Sequence, residues 1–219
     1  MLKPGHTLDE IMTLSPVMPV IALDDAAEAV NLARALMVGG IRVLEITLRT
    51  PAALEAIRII SEEVEGAVVG AGTVLNPGDL QRVRDAGAAF AISPGITPEL
   101  LREASETGFP FLPGVATASE IMQGLDAGFN RFKLFPAVSA GGIAALKSFA
   151  GPFPGVRFCP TGGIGASDFT DYLALENVLC VGGSWVAPAR LIRAGAYGEI
   201  TAISRSAVAA AREMGNGEW

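Results

Sequence analysis

The chain has 219 residues, half of them apolar, with 26 glycines, 14 prolines and a formal net charge of −7. That is enough for a single domain over 1–219 with one large core, since α/β barrels of about 200 residues commonly do not split. The acidic balance and the lack of a lysine/arginine-rich run exclude the footprint of a nucleic-acid binder, while glycine-rich turns still leave room for a small anion.

No apolar stretch of about 18 residues free of charges and breakers points to a spanning helix. The opening MLKPGHTLDEIMTL lacks the apolar centre of a secretion signal. Cys159 and Cys180 both lie in apolar, strand-like runs and read as buried thiols, so a reducing, cytoplasmic setting is expected. His6 is the single histidine, near a start that reads as disordered. With one histidine, zinc sites and Ser-His-Asp triads are hard to build, and chemistry must come from carboxylates, lysine, hydroxyls and backbone.

In chain order, a short helix is expected at 7–14, covering one mouth of the fold, then a strand at 17–23 and a helix at 25–38. Strands follow at 41–47, 67–73, 90–93, 110–114, 131–135, 156–160 and 178–182. Helices between them are expected at 51–64, 77–86, 97–107, 117–127, 141–149 and 166–175, with two more near 187–194 and 197–213. The signal is a repeat. Amphipathic stretches end in Ala-Gly, Gly-Gly or Thr-Gly, which suit the positive φ after a helix, and a short, nearly continuous apolar run follows. Thr50-Pro51, Asn76-Pro77, Thr97-Pro98, Thr117 and Ser167 read as helix openings. Eight strands alternating with helices argue for an α/β fold, a (β/α)8 TIM barrel with an extra N-terminal helix. An open doubly wound sheet is the alternative, and the lack of an early glycine fingerprint counts against it.

In such a barrel chemistry sits where strands end and βα loops begin. RFKLFP at 131–136 places Lys133 inside an apolar strand of a chain with only two other lysines, Lys3 and Lys147. Alternation sets Phe132 and Leu134 on the side opposite Lys133. If they face the helices, the amine points inward, where burial favours the free base, a nucleophile toward carbonyl carbon. A structural ion pair is the plain alternative. Glu45, between Leu44 and Ile46, reads either as a proton-transfer group or as the partner in a bridge to Lys133 or Arg49. The two readings are compatible if substrate opens the bridge. Arg49 offers a fork for a carboxylate, and Thr73 a hydroxyl for the same anion. Gly162-Gly163 and Gly182-Gly183, with Ser184, supply backbone N–H groups for an anion after the last two strands.

Together, LEITLRTP, VVGAGTVL, SPG, LPGVATASE, RFKLFPA, PTGGI and VGGSW resemble, in order and spacing, the bacterial 2-keto-3-deoxy-6-phosphogluconate (KDPG) aldolase family, whose members are also described as 4-hydroxy-2-oxoglutarate aldolases. The resemblance covers roughly 12–212. It implies a metal-independent class I lyase with no cofactor, usually a homotrimer. It implies Lys133 as the Schiff-base lysine, Glu45 as general acid/base, and Arg49 and Thr73 on the pyruvate carboxylate. Pro94 and Phe135 would line the pyruvate pocket. Thr161, Gly162, Gly163 and Ser184 would take the phosphate. Lys147 matches no catalytic position. A galactonate stereoisomer or unphosphorylated 4-hydroxy-2-oxoglutarate is an alternative substrate. A sugar-phosphate isomerase needing only Glu45, or a phosphometabolite binder needing only the glycine loops, stands outside the lyases.

Overall fold

The computed structural model describes residues 6–215. Its strands are β1 Val17–Ile21, β2 Val43–Thr47, β3 Val68–Gly72, β4 Ala91–Ile92, β5 Phe111–Leu112, β6 Gly114–Val115, β7 Arg131–Leu134, β8 Arg157–Pro160 and β9 Val181–Gly183. Its helices are α1 Leu8–Thr13, α2 Ala29–Val38, α3 Ala53–Glu63, α4 Pro77–Asp85, α5 Pro98–Thr107, α6 Ala118–Asp126, α7 Gly142–Ala150, α8 Phe169–Leu173, α9 Ala189–Arg193 and α10 Tyr197–Glu213, with a 3-10 turn at Ala26–Glu28.

Three of the expected helix openings act as caps. Asn76, Thr97 and Thr117 accept from the backbone N–H three residues on, at 2.9, 3.2 and 3.3 Å, which satisfies donors the helix leaves unpaired. Two do not. Thr50 donates its hydroxyl to the Leu23 carbonyl, so α3 starts later, after Ala52, without a side-chain cap. Ser167 yields to Asp168, whose carboxylate accepts from Gly165 N at 2.8 Å and fixes the turn before α8.

The architecture is a curled parallel α/β sheet. Six strands run in the order β5-β4-β3-β2-β1-β9, and three in the order β6-β7-β8. The strand expected at 110–114 is divided at Pro113, which has no N–H for a ladder. Its first half pairs back to β4 through Ala91↔Phe111, and its second pairs forward to β7 through Gly114↔Lys133. The strand expected at 178–182 enters the ladder late. Val178 and Gly182 make single bridges to Phe158 and Thr161, while β9 itself pairs with β1 through Val17↔Val181.

Side chains alternate between two apolar layers. Leu44, Ile46, Phe132, Leu134 and Phe158 belong to the large layer shared with the helices. Met18, Val43, Val68, Phe90, Cys159 and Cys180 form a second, smaller cluster. Lys133 and Glu45 are on the side away from Phe132, Leu134, Leu44 and Ile46, as the alternation requires.

Helix α1 adds Ile11 and Met12 to the small cluster, both fully buried. A capping box between Thr7 and Glu10 starts it. Arg131 Nη2, on the first residue of β7, holds Asp9 Oδ2 at 2.8 Å and ties the helix across the strand starts. Met12→Ala is expected to lower stability by about 2–5 kcal/mol, the cost of a cavity in a packed core, and urea denaturation measures it.

Candidate active site

Lys133 and Glu45 come from strands of different sheets, 88 residues apart in sequence, and meet in the interior. Lys133 Nζ donates to Glu45 Oε1 at 3.0 Å and lies 3.4 Å from Oε2. Their relative exposures are 5% and 1%, so bulk water does not screen the pair. The amine also sits 5.3 Å from the centroid of the Phe135 ring, two residues along the chain. The backbone of Lys133 is held by a bond from its N–H to the Pro113 carbonyl at 2.9 Å. Of the partners considered for Glu45 from sequence, the bridge goes to Lys133.

A cavity of about 560 Å³ opens at the strand ends. Arg49, Phe135, Thr161, Gly162, Gly163 and Ser184 line it, six of the residues singled out from sequence. Phe135, which carries its ring over Lys133, links the buried pair to this space. Arg49 is exposed at the loop after β2 and has no hydrogen bond or ion pair among the described residues. Its guanidinium is therefore available to an anion without breaking an internal contact. Gly162 and Gly163 have φ of 104° and 84°, a backbone that turns successive N–H groups without a Cβ penalty. Thr161 is buried, and its hydroxyl faces the Cys159 carbonyl at 3.4 Å.

Lys133, Glu45, Thr73 and Pro94 are not part of that cavity wall. Thr73 directly follows Gly72 and is the one non-glycine residue with positive φ among the described residues, at 59°. Such a conformation costs about 1–3 kcal/mol and is held by its neighbours. Here Leu48 N donates to the Gly72 carbonyl at 2.9 Å, and Val74 N to Ile92 at 3.1 Å. Pro94 follows buried Ser93, whose hydroxyl accepts from Gly114 N at 3.3 Å, and Gly114 is the register partner of Lys133.

The cavity also takes residues that sequence reading passed over: Val20 near the end of β1 and Ala22 just after it, and Val138 and Ser139 in the loop after β7. The first pair carries no reactive group, so nothing in its chemistry marked it. Its position was deducible from pairing, because Met18↔Gly182 and Pro19↔Gly183 set the end of β1 beside Gly182 and Gly183, which lie within β9 and not in a loop after the last strand as expected.

Cys159 and Cys180 are free and buried. The Cys180 thiol is pushed well above its ordinary range, first by its hydrogen bond with Cys159 and then by burial, which keeps it an uncharged thiol. Among the described residues no three His, Cys, Asp or Glu side chains cluster as metal ligands, and no helix is long and apolar enough to cross a membrane.

Comparison with known proteins converges on one family. The chain matches the family described as KDPG and KHG aldolase over residues 8–203. It is 55% identical over 203 residues to the 2-dehydro-3-deoxy-phosphogluconate aldolase of Dickeya dadantii, covering 93% of this chain and 95% of that one. It is 54% identical over 204 residues to the KHG/KDPG aldolase of Escherichia coli K12, covering 93% and 96%. The crystal structure of KDPG aldolase from Legionella pneumophila, with pyruvate captured at low pH as a covalent carbinolamine intermediate, matches with a TM-score of 0.91 at 46% identity, covering 93% of this chain and 98% of that one. With a buried lysine touching a glutamate, a nearby cavity whose arginine has no partner among the described residues, and such similarity to these relatives, the chain belongs to the KDPG and KHG aldolase family and is a lyase.

Proposed function

We propose that the chain is a class I aldolase that cleaves KDPG to pyruvate and D-glyceraldehyde 3-phosphate, and also acts on 4-hydroxy-2-oxoglutarate. The observation that carries this reading is the 3.0 Å contact between buried Lys133 and Glu45, next to the Phe135 ring that lines the cavity. The names of the Dickeya and Escherichia relatives, and the covalent pyruvate adduct of the Legionella enzyme, support the substrate and the covalent route.

The chemistry follows from the pair. A proton passes from Lys133 to Glu45, leaving an amine with a free lone pair beside a carboxylic acid. The amine nitrogen bonds to C2 of the keto acid, and the carbonyl electrons go to oxygen, which takes the proton from Glu45. Loss of water gives the iminium. Glu45, again a carboxylate, removes the C4 hydroxyl proton directly or through water. The C3–C4 bond then breaks, its electrons moving to the iminium nitrogen, and the aldehyde leaves. Protonation of the enamine at C3 and hydrolysis release pyruvate and restore the amine. The ion pair is thus the resting form, and substrate draws its proton inward.

Arg49, freely available at the rim, takes the substrate carboxylate with Thr73. Pro94 and Phe135 shape the pyruvate pocket. Thr161, Gly162, Gly163 and Ser184 receive the phosphate through hydroxyl and backbone N–H groups. The two sheets read as arcs of one closed (β/α)8 barrel. The single bridges from β8 and the shared run around Pro113 support this. One domain over 1–219, of which 1–5 and 216–219 lie outside the described residues, would assemble as a cytoplasmic homotrimer.

Pyruvate release, followed by a coupled lactate dehydrogenase assay, tests the substrate. KDPG is expected to turn over, 4-hydroxy-2-oxoglutarate to turn over as well, and EDTA to leave both rates unchanged. Turnover of neither keto acid, or a rate abolished by chelation and restored by a divalent ion, would overturn the reading.

A further inference from the structure

Strand β3 narrows along its inward face. Val68 is followed on that side by Gly70 and then Gly72. Glycine inside a strand weakens it and marks a place where another group comes close. At Gly70 that group is the Phe90 ring, with ring carbons 2.5 Å from where a Cβ would stand. At Gly72 it is Glu45. A Cβ there would overlap Oε1 and lie 2.8 Å from both Cδ and Cγ. Gly72 does not have positive φ, so its backbone suits any L-residue. The demand for glycine is steric and comes from one side chain.

Among the described residues the Glu45 carboxylate accepts hydrogen bonds from Lys133 Nζ alone. Its position depends on the space it is allowed. Register explains why the space must be at residue 72. Thr47 is the Cα partner of Gly72 and Glu45 that of Gly70, so the Glu45 side chain leans two residues along, toward the strand ends, and crosses the neighbouring strand at Gly72. This lean carries the carboxylate to the level of Lys133.

We infer that Gly72 is a positioning residue for the aldol reaction: by lacking a Cβ it leaves the slot that holds the Glu45 carboxylate against Lys133. The inference rests on the assignment of Glu45 to proton transfer. Gly72 itself touches no substrate. A methyl group in the slot forces Glu45 into another rotamer, off the amine. Proton transfer suffers, while the rim that binds the substrate's anionic ends stays as it was.

A double-mutant cycle tests this. Gly72→Ala is expected to lower kcat on KDPG by about 10²-fold, as displacement of a catalytic group by roughly 1 Å can do. KM is expected to move less than about three-fold, because ground-state binding is not touched. In the Glu45→Ala background, where no carboxylate remains to be displaced, Gly72→Ala is expected to cost less than about two-fold more. A purely structural glycine would cost the same in both backgrounds, and that additivity would overturn the inference, as would a Gly72→Ala enzyme with near-normal kcat. If Gly72→Ala does not fold, the Gly72→Ala/Glu45→Ala protein is expected to fold as well as Glu45→Ala alone. Failure of both to fold would overturn it too. Should Glu45→Ala by itself keep its turnover, the assignment of Glu45 falls first; loss there with no loss in Gly72→Ala removes the role of Gly72 alone.

Discussion

Lys133→Met is expected to lower kcat on KDPG by on the order of 10⁵-fold, because removing a covalent nucleophile removes the whole route and not one contact of it. Methionine keeps an unbranched chain of similar length and fills the space beside Phe135, so the cavity keeps its shape. What disappears is the nitrogen lone pair, and with it the iminium that takes up the electrons of the breaking C3–C4 bond. The variant leaves Glu45 buried without its partner. Breaking one half of a buried pair costs about 3–5 kcal/mol, so the stability loss must be separated from the catalytic one. Lys133→Met/Glu45→Gln does that, since it removes the lone charge; it is expected to regain stability and stay inactive. Turnover above about one-hundredth of the parent rate in folded Lys133→Met would be too much for an enzyme without its nucleophile and would contradict the covalent mechanism.

Glu45→Gln is expected to lower kcat by about 10²–10⁴-fold, the range general acid/base catalysis supplies. The amide keeps the size of the side chain and an oxygen that can accept from Lys133, so packing over Gly72 persists. It can no longer exchange a proton. Carbinolamine dehydration and removal of the C4 proton both slow, and so does deprotonation of Lys133; water can still take that proton, and adduct formation needs fewer such transfers than a full turnover. Steady-state kinetics should therefore fall much further than adduct formation with pyruvate. Near-normal turnover would show that Glu45 serves only to neutralise the lysine, the structural alternative weighed for it.

Much of this site was legible in the sequence, for reasons that differ by residue. Lys133 stood out because an ammonium in an apolar strand is costly, and alternation then fixed its direction. Glu45 stood out for the same reason, but its partner did not. Lys133 and Arg49 were equal candidates until the strands were brought together, because an 88-residue separation hides any pairing. The glycine pairs at 162–163 and 182–183 were visible as dipeptides. Their glycines do different things: Gly162 and Gly163 need positive φ, while Gly182 and Gly183 make room for Thr161 and the Trp185 ring. Gly72 was invisible because its role is an absence, felt only by a side chain on the next strand.

The fold was legible where periodicity was long. Helix α10 occupies its expected range, Tyr197–Glu213, because a long amphipathic pattern leaves little freedom. The short strands were harder. Pro113 divides one apolar run between two sheets, and 178–180 stays apolar without joining the ladder as a strand. Hydropathy reports burial in both places, and only hydrogen-bond register distinguishes a strand from a buried loop.

The central claim is that Lys133 forms a covalent bond with the ketone of the substrate, and borohydride reduction in the presence of pyruvate tests it most directly. Intact mass is expected to show one reduced pyruvyl group per chain, and peptide mapping to place it on Lys133. An unmodified chain, or an adduct on Lys147 with Lys133 untouched, would contradict it.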